Sequence, residues 1–417
     1  MSTSRSTQSL TRPQRAASAA AFALAALLAG CGGGGGGGAG GYPAPAPPPP
    51  PPPPPPVDLG PLYDFTAIGL PGITFGDVDR RGIATSARVT GTSRDAAGNV
   101  RAFYYDGKQN IDLGTFGGAA AQAYSINRCG QIAGWAQAPG NLARAFYYDG
   151  ALHDLGTLGG AESFGFAIST CGKVAGWSGT AGGETHAFYH DGKTMRDLGT
   201  FGGTGSFALA LNSVGQVAGY AYGPGNAWFH AFLFDARTGA PIRDIGAPGL
   251  NSLAQDINDA GQVVGYTRDA AGVLRAFRYE AGTMHDLGLL PGAQGAEARA
   301  INGAGHTVGY VVYPDGRQVA FLHDGTTMRD LGTLNGSRFS DARAINGSGL
   351  VVGSSVNPAA GAEHAIAWSA SYGMVDLNTR VKDLPKGIEL VSALAVADDG
   401  GIAVRTNQGL GLLRPRR

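Results

Sequence analysis

The sequence predicts an all-β fold, a β-propeller of four-stranded blades closed into a ring of eight. Three observations carry the prediction. Glycine supplies 70 of the 417 residues, a load that disfavours helices and suits dense turns. Asp-Leu-Gly or a close variant recurs at Asp112, Asp154, Asp197, Asp244, Asp286, Asp330 and Asp376, at intervals of 42 to 47 residues. That is the period of propellers and related repeat arrays. No stretch after residue 59 sustains a helical period. Short β-branched or aromatic runs bounded by Gly, Asn or Asp recur instead, which is the signature of strands and turns.

Each repeat resolves into four strands. Strand A ends in Ile-Asn-x-x-Gly, as at Ile126, Ile257, Ile301 and Ile345. Strand B is a short apolar run ending in Gly, as at 263–265 and 351–353. Strand C opens on Ala-Phe, as at Ala102, Ala145, Ala187, Ala231, Ala276 and Ala320, and strand D is the Asp-Leu-Gly segment. Asn127, Asn258, Asn302 and Asn346 suit the A–B turn, because Asn tolerates left-handed backbone and caps turns with its amide. Asp-Gly at 106–107, 149–150, 191–192 and 324–325 is a preferred centre for a two-residue C–D hairpin. That loop would set Arg101 directly opposite Asp112 and His186 opposite Asp197. Such cross-strand pairs contribute roughly 0.2–1 kcal/mol each. Val319 breaks the pattern opposite Asp330. A base and an acid repeated in most blades read as architecture rather than catalysis.

The ends of the repeat region predict closure. Residues 63–69 read as a D strand with no A, B or C before it. The last repeat has A (393–400), B (401–404) and C (410–413) but no D. The first strand therefore completes the last blade and removes an exposed edge. An open solenoid would need capping units at both ends, and the sequence has none.

The N-terminus reads as an address. Arg5, Arg12 and Arg15 precede an apolar stretch over 16–29, shorter than a membrane span and patterned as a signal peptide. Leu28-Ala29-Gly30-Cys31 resembles the bacterial lipoprotein box. The resemblance implies removal of residues 1–30 and lipid on Cys31, and two or more chains anchor stably. Gly32, in place of Asp, favours the bacterial outer membrane. An ordinary cleaved signal is the alternative. Residues 31–57 form a Gly/Pro-rich tether. Its prolines at 47–56 would make a polyproline II rod of ~31 Å. Residues 58–417 form the propeller.

The repeat itself also resembles a known family. The alternation of Ala-Phe, Asp-Leu-Gly-Thr-Leu-Gly-Gly and Ile-Asn-x-x-Gly, with His186-Ala187-Phe188 and His230-Ala231-Phe232, is similar to the HAF-repeat family of extracellular bacterial proteins. The likeness covers residues 60–417. Arg101, Arg144 and Arg275 replace the His of the triplet. The resemblance implies export and repeats, and brings no catalytic residue with it.

Composition narrows function. Lys+Arg 31 balances Asp+Glu 31, which excludes a basic nucleic-acid binder. No His-x-x-x-His, Cys-x-x-Cys or Gly-x-Ser-x-Gly motif occurs, so no catalytic residue, cofactor or metal site is assigned. Asp77-x-Asp79 and Asp398-Asp399-Gly400 lack the remaining oxygens of a calcium loop. Cys129 and Cys171 occupy the same place in successive repeats. An oxidising compartment would allow a disulfide there if their Cα atoms lie within ~7 Å, and two free thiols are the alternative. The widest repeat carries Tyr222, Trp228 and Phe229 in its B–C loop, a candidate ligand-binding loop; packing of Trp228 onto a neighbouring blade is the competing reading.

The expected function is a lipid-anchored, non-catalytic binding module for a glycan, peptide or protein. A carbohydrate-active lyase or hydrolase and a purely structural envelope protein are the alternatives. A strongly polar channel with convergent His, Arg or carboxylate groups would favour the enzyme, a flat aromatic face would favour binding, and a channel lined only by Gly, Ala and Asn would favour the structural role.

Overall fold

The computed structural model describes residues 60–70, 75–94, 98–247 and 249–416. The signal, Cys31 and the tether lie outside the described residues. The described chain is all β apart from single turns of 3-10 helix. Its strands form eight separate antiparallel sheets, the blades of a β-propeller. In chain order, blades 1 to 7 span residues 75–112, 121–154, 159–197, 206–244, 251–286, 295–330 and 340–376. Blade 8 joins the three last strands (390–415) to Tyr63–Ile68. Blade 1 carries an extra short strand, Ile83–Thr85, paired to its second strand.

Closure takes the predicted form. Tyr63–Ile68 pairs antiparallel with Gly409–Pro415, with Tyr63 opposite Pro415 and Ile68 opposite Leu410. Tyr63 is buried in one core with Leu390, Val404 and Leu413, while Ile68 joins the core shared with blade 1. Every core cluster packs between neighbouring sheets rather than within one, so the blades stabilise one another in sequence.

A bulge marks the A strand of blades 2 to 8. In blade 2 the register passes from Ala123 opposite Gly134 to Ser125 opposite Ala133, leaving Tyr124 as the extra residue. The same shift leaves Phe166, Leu209, Gln255, Arg299, Arg343 and Leu394 unpaired in the following blades. A bulge bends the strand and re-aims a side chain. It also accounts for the B-strand glycine. A Cβ on Gly176, Gly219, Gly265, Gly309 or Gly353 would overlap the A-strand carbonyl beside the bulge.

The A–B turns join blade to blade. The Asn127 carbonyl oxygen of the side chain accepts from the backbone N of Cys129 and Gln131, as turn chemistry requires. Its amide also donates to the backbone oxygen of Ser169 in blade 3 at 2.9 Å. Asn212, Asn258, Asn302 and Asn346 repeat this bond to Asn258, Asn302, Asn346 and Ala397 at 2.9–3.0 Å. Turn chemistry alone is therefore only half of the role of these residues.

The C–D hairpins correct one expectation. Asp112 lies opposite Phe103, not Arg101, and Asp197 opposite Phe188, not His186. The cause is the loop. The Asp106 carboxylate accepts from the N of Lys108 and Gln109, and its own N bonds Gln109 O. The aspartate thus caps a four-residue loop instead of centring a two-residue one. The base and acid still meet, diagonally: Arg101–Asp112 at 2.7 Å, His186–Asp197 and His230–Asp244 at 2.9 Å, Arg275–Asp286 at 2.8 Å and His364–Asp376 at 2.6 Å.

Candidate functional site

The innermost strand of each blade is A. Successive A–B turns bond to each other, and blades 1 and 5, opposite in a ring of eight, touch only by reaching across the centre. In blades 2 to 7 the residue two before the bulged one pairs with the residue after the B-strand glycine, Ser392 holds the same place in blade 8 and Asp77 in unbulged blade 1, and together these pairs form a layer around the axis. The pairs are Gln122 with Trp135, Phe164 with Trp177, Phe207 with Tyr220, Leu253 with Tyr266 and Glu297 with Tyr310. Asp341 with Ser354, Ser392 with Arg405 and Asp77 with Thr92 complete the circle.

One side of this layer is aromatic. Trp135 stands 5.4 Å from Phe164, Phe164 stacks on Trp177 at 4.2 Å, Trp177 lies 6.0 Å from Phe207, and Phe207 stacks on Tyr220 at 5.0 Å. Each of these rings keeps partial exposure. The arc runs over blades 2 to 4. One layer nearer the A–B turns, Tyr124 stacks on Phe166 at 4.8 Å, and burial pushes its hydroxyl up to about 12.

The other side is charged. Arg299 lies over the Tyr310 ring at 4.7 Å, bonds Glu297 at 3.3 Å and pairs with Asp341. Burial pulls its guanidinium down, but Asp341 and Glu297 outweigh this and the pKa is raised. Tyr310 donates to Glu297 at 2.7 Å. Arg343 stands 3.5 Å from Asp341, and Arg405 bonds Asp77 at 2.9 Å.

Two arginines cross the axis near the A–B turns. Blade 1 departs from the repeat there, with Asp79-Arg80-Arg81 where blade 2 has Asn127-Arg128-Cys129. Arg81 donates to Gln255 O and to Asp256 Oδ1 of blade 5, both at 2.9 Å. Arg80 bonds the same carbonyl and lies 4.0 Å from the same carboxylate. The backbone oxygen of Arg81 accepts from Ile126 N, which pins the segment to blade 2. Burial and the neighbouring Arg81 push the Arg80 guanidinium down to about 10, so it stays charged at neutral pH.

The residues singled out from sequence are scattered over the ring. Tyr222 and Phe229 are paired across the B–C loop of blade 4 and lie 6.0 and 5.6 Å from Tyr220. They extend the aromatic arc toward the end of the ring bearing the B–C loops. Trp228 faces elsewhere. It covers Gly223 and lies tilted against His230 at 4.3 Å, near Phe201, so it packs on its own blade rather than on a neighbour. Cys129 and Cys171 are both free and exposed. Of the two readings considered from the sequence, a disulfide or two free thiols, the structure has the two free thiols, each in its own A–B turn. Asp77 is bound to Arg405, Asp398 pairs with Arg128, and Asp399 accepts from Ser86 N and Oγ. These acids are engaged in contacts between strands and turns. Sequence reasoning missed the axial layer. Its signal was present: an aromatic residue follows the B-strand glycine at Trp135, Trp177, Tyr220, Tyr266 and Tyr310.

A separate surface cleft of about 350 Å³ opens between blades 6 and 7, lined by Asp315, Arg317, Asp330 and Arg338 around Val319. It lies where Val319 replaces the base of the C–D ion pair.

No protein-family model matches the chain, and no curated protein matches it. Solved structures do. A prolyl endopeptidase structure aligns at TM-score 0.51 and 10% identity, covering 84% of this chain and 54% of that one. A puromycin-hydrolysing peptidase from Mycobacterium tuberculosis aligns at 0.44 and 12%, covering 80% and 61%. The BP39L lectin of Burkholderia pseudomallei aligns at 0.41 and 12%, covering 76% and 98%. The chain thus spans little more than half the length of the two peptidases. At such identities the likeness defines the class by fold alone: this is a β-propeller protein.

Proposed function

We propose that the ring is a non-catalytic binding module, held at the bacterial outer membrane by lipid on Cys31, that takes a glycan or peptide at the B–C end of its axis. The arc of partly exposed rings from Trp135 to Tyr220 carries this reading. Aromatic faces are negative at the centre and attract the polarised C–H groups of a sugar face or the edge of another ring. The arc continues into Tyr222 and Phe229, so an extended ligand would find stacking partners from the loop down to the axis. Rings on rigid inner strands are pre-organised, which cuts the cost of ordering on binding.

The test is a glycan-and-peptide array probed with the full-chain protein beside Trp177→Ala and Trp228→Ala. Selective binding weakened by Trp177→Ala and kept by Trp228→Ala supports the axial site. Binding lost only with Trp228→Ala would place recognition on the loop instead, and absence of any binding would leave the structural role as the better reading.

A second reading, a carbohydrate-active lyase or hydrolase, is favoured by the Tyr310–Glu297–Arg299–Asp341 group. Tyrosine, carboxylate and guanidinium within hydrogen-bond reach could move a proton and steady an anion. Release of reducing or unsaturated ends from array-positive glycans, abolished by Glu297→Gln, would establish it.

A further inference from the structure

We infer that the axial site takes a saccharide bearing a carboxylate, with the anion seated on Arg80 and Arg81 and sugar rings laid on the aromatic arc. The inference rests on the binding reading above and names the chemistry of the ligand. Arg80 and Arg81 both reach one carboxylate, Asp256, through the same oxygen. The other oxygen of Asp256 already accepts from Ile301 N at 3.2 Å. The remaining acids of the axis are committed elsewhere: Glu297 and Asp341 to Arg299, Asp341 also to Arg343, and Asp77 to Arg405. Asp79 is exposed beside Arg80 and its carboxylate accepts from Arg81 N, so solvent screens much of its charge.

One guanidinium therefore lacks a counter-ion of its own. It is also the more buried of the pair, with 18% of the Arg80 side chain exposed against 21% for Arg81, and Arg80 Nε has no partner. A charge held out of water without a full partner is costly. A ligand anion would relieve that cost, because the planar guanidinium fork matches a carboxylate in two parallel bonds. The departure of blade 1 from the repeat adds a reason to read function here. Blades that keep Asn at this turn use it to join the next blade, whereas blade 1 sends two arginines across the axis instead. Aromatic arc and arginine pair both stand on the inner strands and turns that ring the axis, and Arg299 of the charged side acts on Arg80, so stacking and charge would act on the same ligand.

The experiment is calorimetric titration of the full-chain protein with trigalacturonate and with its methyl ester, which keeps the rings and removes the charge. The acid is expected to bind at least roughly tenfold tighter, ~1.4 kcal/mol, and the preference is expected to shrink as salt is raised. Arg80→Gln and Arg81→Gln should each erode the preference, whereas Arg80→Lys should keep part of it. Melting each variant first separates loss of binding from loss of fold. Should the glutamine variants fail to fold, the ester comparison and its salt dependence on the unmodified protein decide the matter. Equal binding of acid and ester overturns the inference, as does a preference that survives both glutamine variants. If acid and ester bind equally and Trp177→Ala weakens both, the ring remains a glycan binder and only the anion seat is wrong. Neither probe binding while neutral array glycans do also overturns the inference and leaves the module intact. No glycan binding at all sinks both.

Discussion

The C–D hairpins at the rim repeat one base–acid pair in five blades, whereas the layer at the axis changes residue type from blade to blade. Both regions rest on equally regular backbone. At the rim, Asp112, Asp197, Asp244 and Asp286 each spend one carboxylate oxygen on the N–H two residues on and turn the other to the base. The same chemistry recurs because every blade must make the same turn. At the axis, the bulge and its glycine recur while the side chains they present run from Phe164 and Trp177 to Glu297, Asp341 and Arg405. Repetition marks what the fold needs, and variation on a repeated support marks where a ligand could be read.

Four perturbations of the repeated part test that contrast, and their effects should fall in order. Deleting residues 60–68 should have the largest, since it strips a ladder from Gly409–Pro415 and uncovers Tyr63 contacts in the blade 8 core. We expect a loss above about 4 kcal/mol, read as disappearance of the cooperative thermal transition by circular dichroism. A melt within a few degrees of the parent would mean that closure is not what holds the ring. Gly219→Ala should come next. Its Cβ would meet the Phe207 carbonyl, and overpacking of this kind costs about 1–3 kcal/mol, measurable as a lowered urea midpoint. An unchanged midpoint would show that the bulge can relax.

Acidification should have a smaller effect. His190 and His323 are buried, and desolvation holds both imidazoles below their ordinary pKa. Each Nδ1 accepts from the N–H of Gly192 or Gly325 at 3.1 Å, which requires the neutral ring. Lys173 and Arg278 lower these values further, and Asp191 and Asp324 oppose them. Because the folded pKa is depressed, the unfolded chain binds more protons below pH ~6.5. Their contribution is complete above that point and is lost as pH falls toward the folded values. The drop in melting temperature from pH 7 to pH 5 should shrink in the double variant His190→Asn, His323→Asn. An identical pH slope would clear these two residues of the role.

How much of this was legible follows the same division. The eight blades, the four-strand order and the closing strand were written in Asp-Leu-Gly spacing and in the unpaired D segment at residues 63–69, because each repeat solves one local problem with one local motif. The hairpin register was misjudged by two residues at Asp112. Asp-Gly is ambiguous between a turn centre and a side-chain-capped loop, and only the bonds from Asp106 to Lys108 and Gln109 decide. The second bond of Asn127 was hidden because its acceptor, Ser169, belongs to the next blade. The arginine pair was hidden more deeply. Arg80 and Arg81 gain meaning only from Asp256, which lies far along the chain and opposite in the ring.

The smallest expected effect bears on the rim pair itself, and blade 6 supplies the bound. There Val319 stands in for the base, and it is nonetheless buried in one core with Phe321, Ala276 and Ala296. The pair is therefore not a condition for folding a blade. Arg101 keeps a quarter of its side chain exposed and Asp112 more, at 25% and 39%, so water and salt screen the attraction. Arg101→Ala should cost about 0.2–1 kcal/mol, fall toward zero at high salt, and leave array binding unchanged because the residue lies on the outer part of blade 1. A loss beyond about 2 kcal/mol would show that Arg101 also carries packing through its stem. Altered binding with unaltered stability would mean that the rim, and not only the axis, meets the ligand.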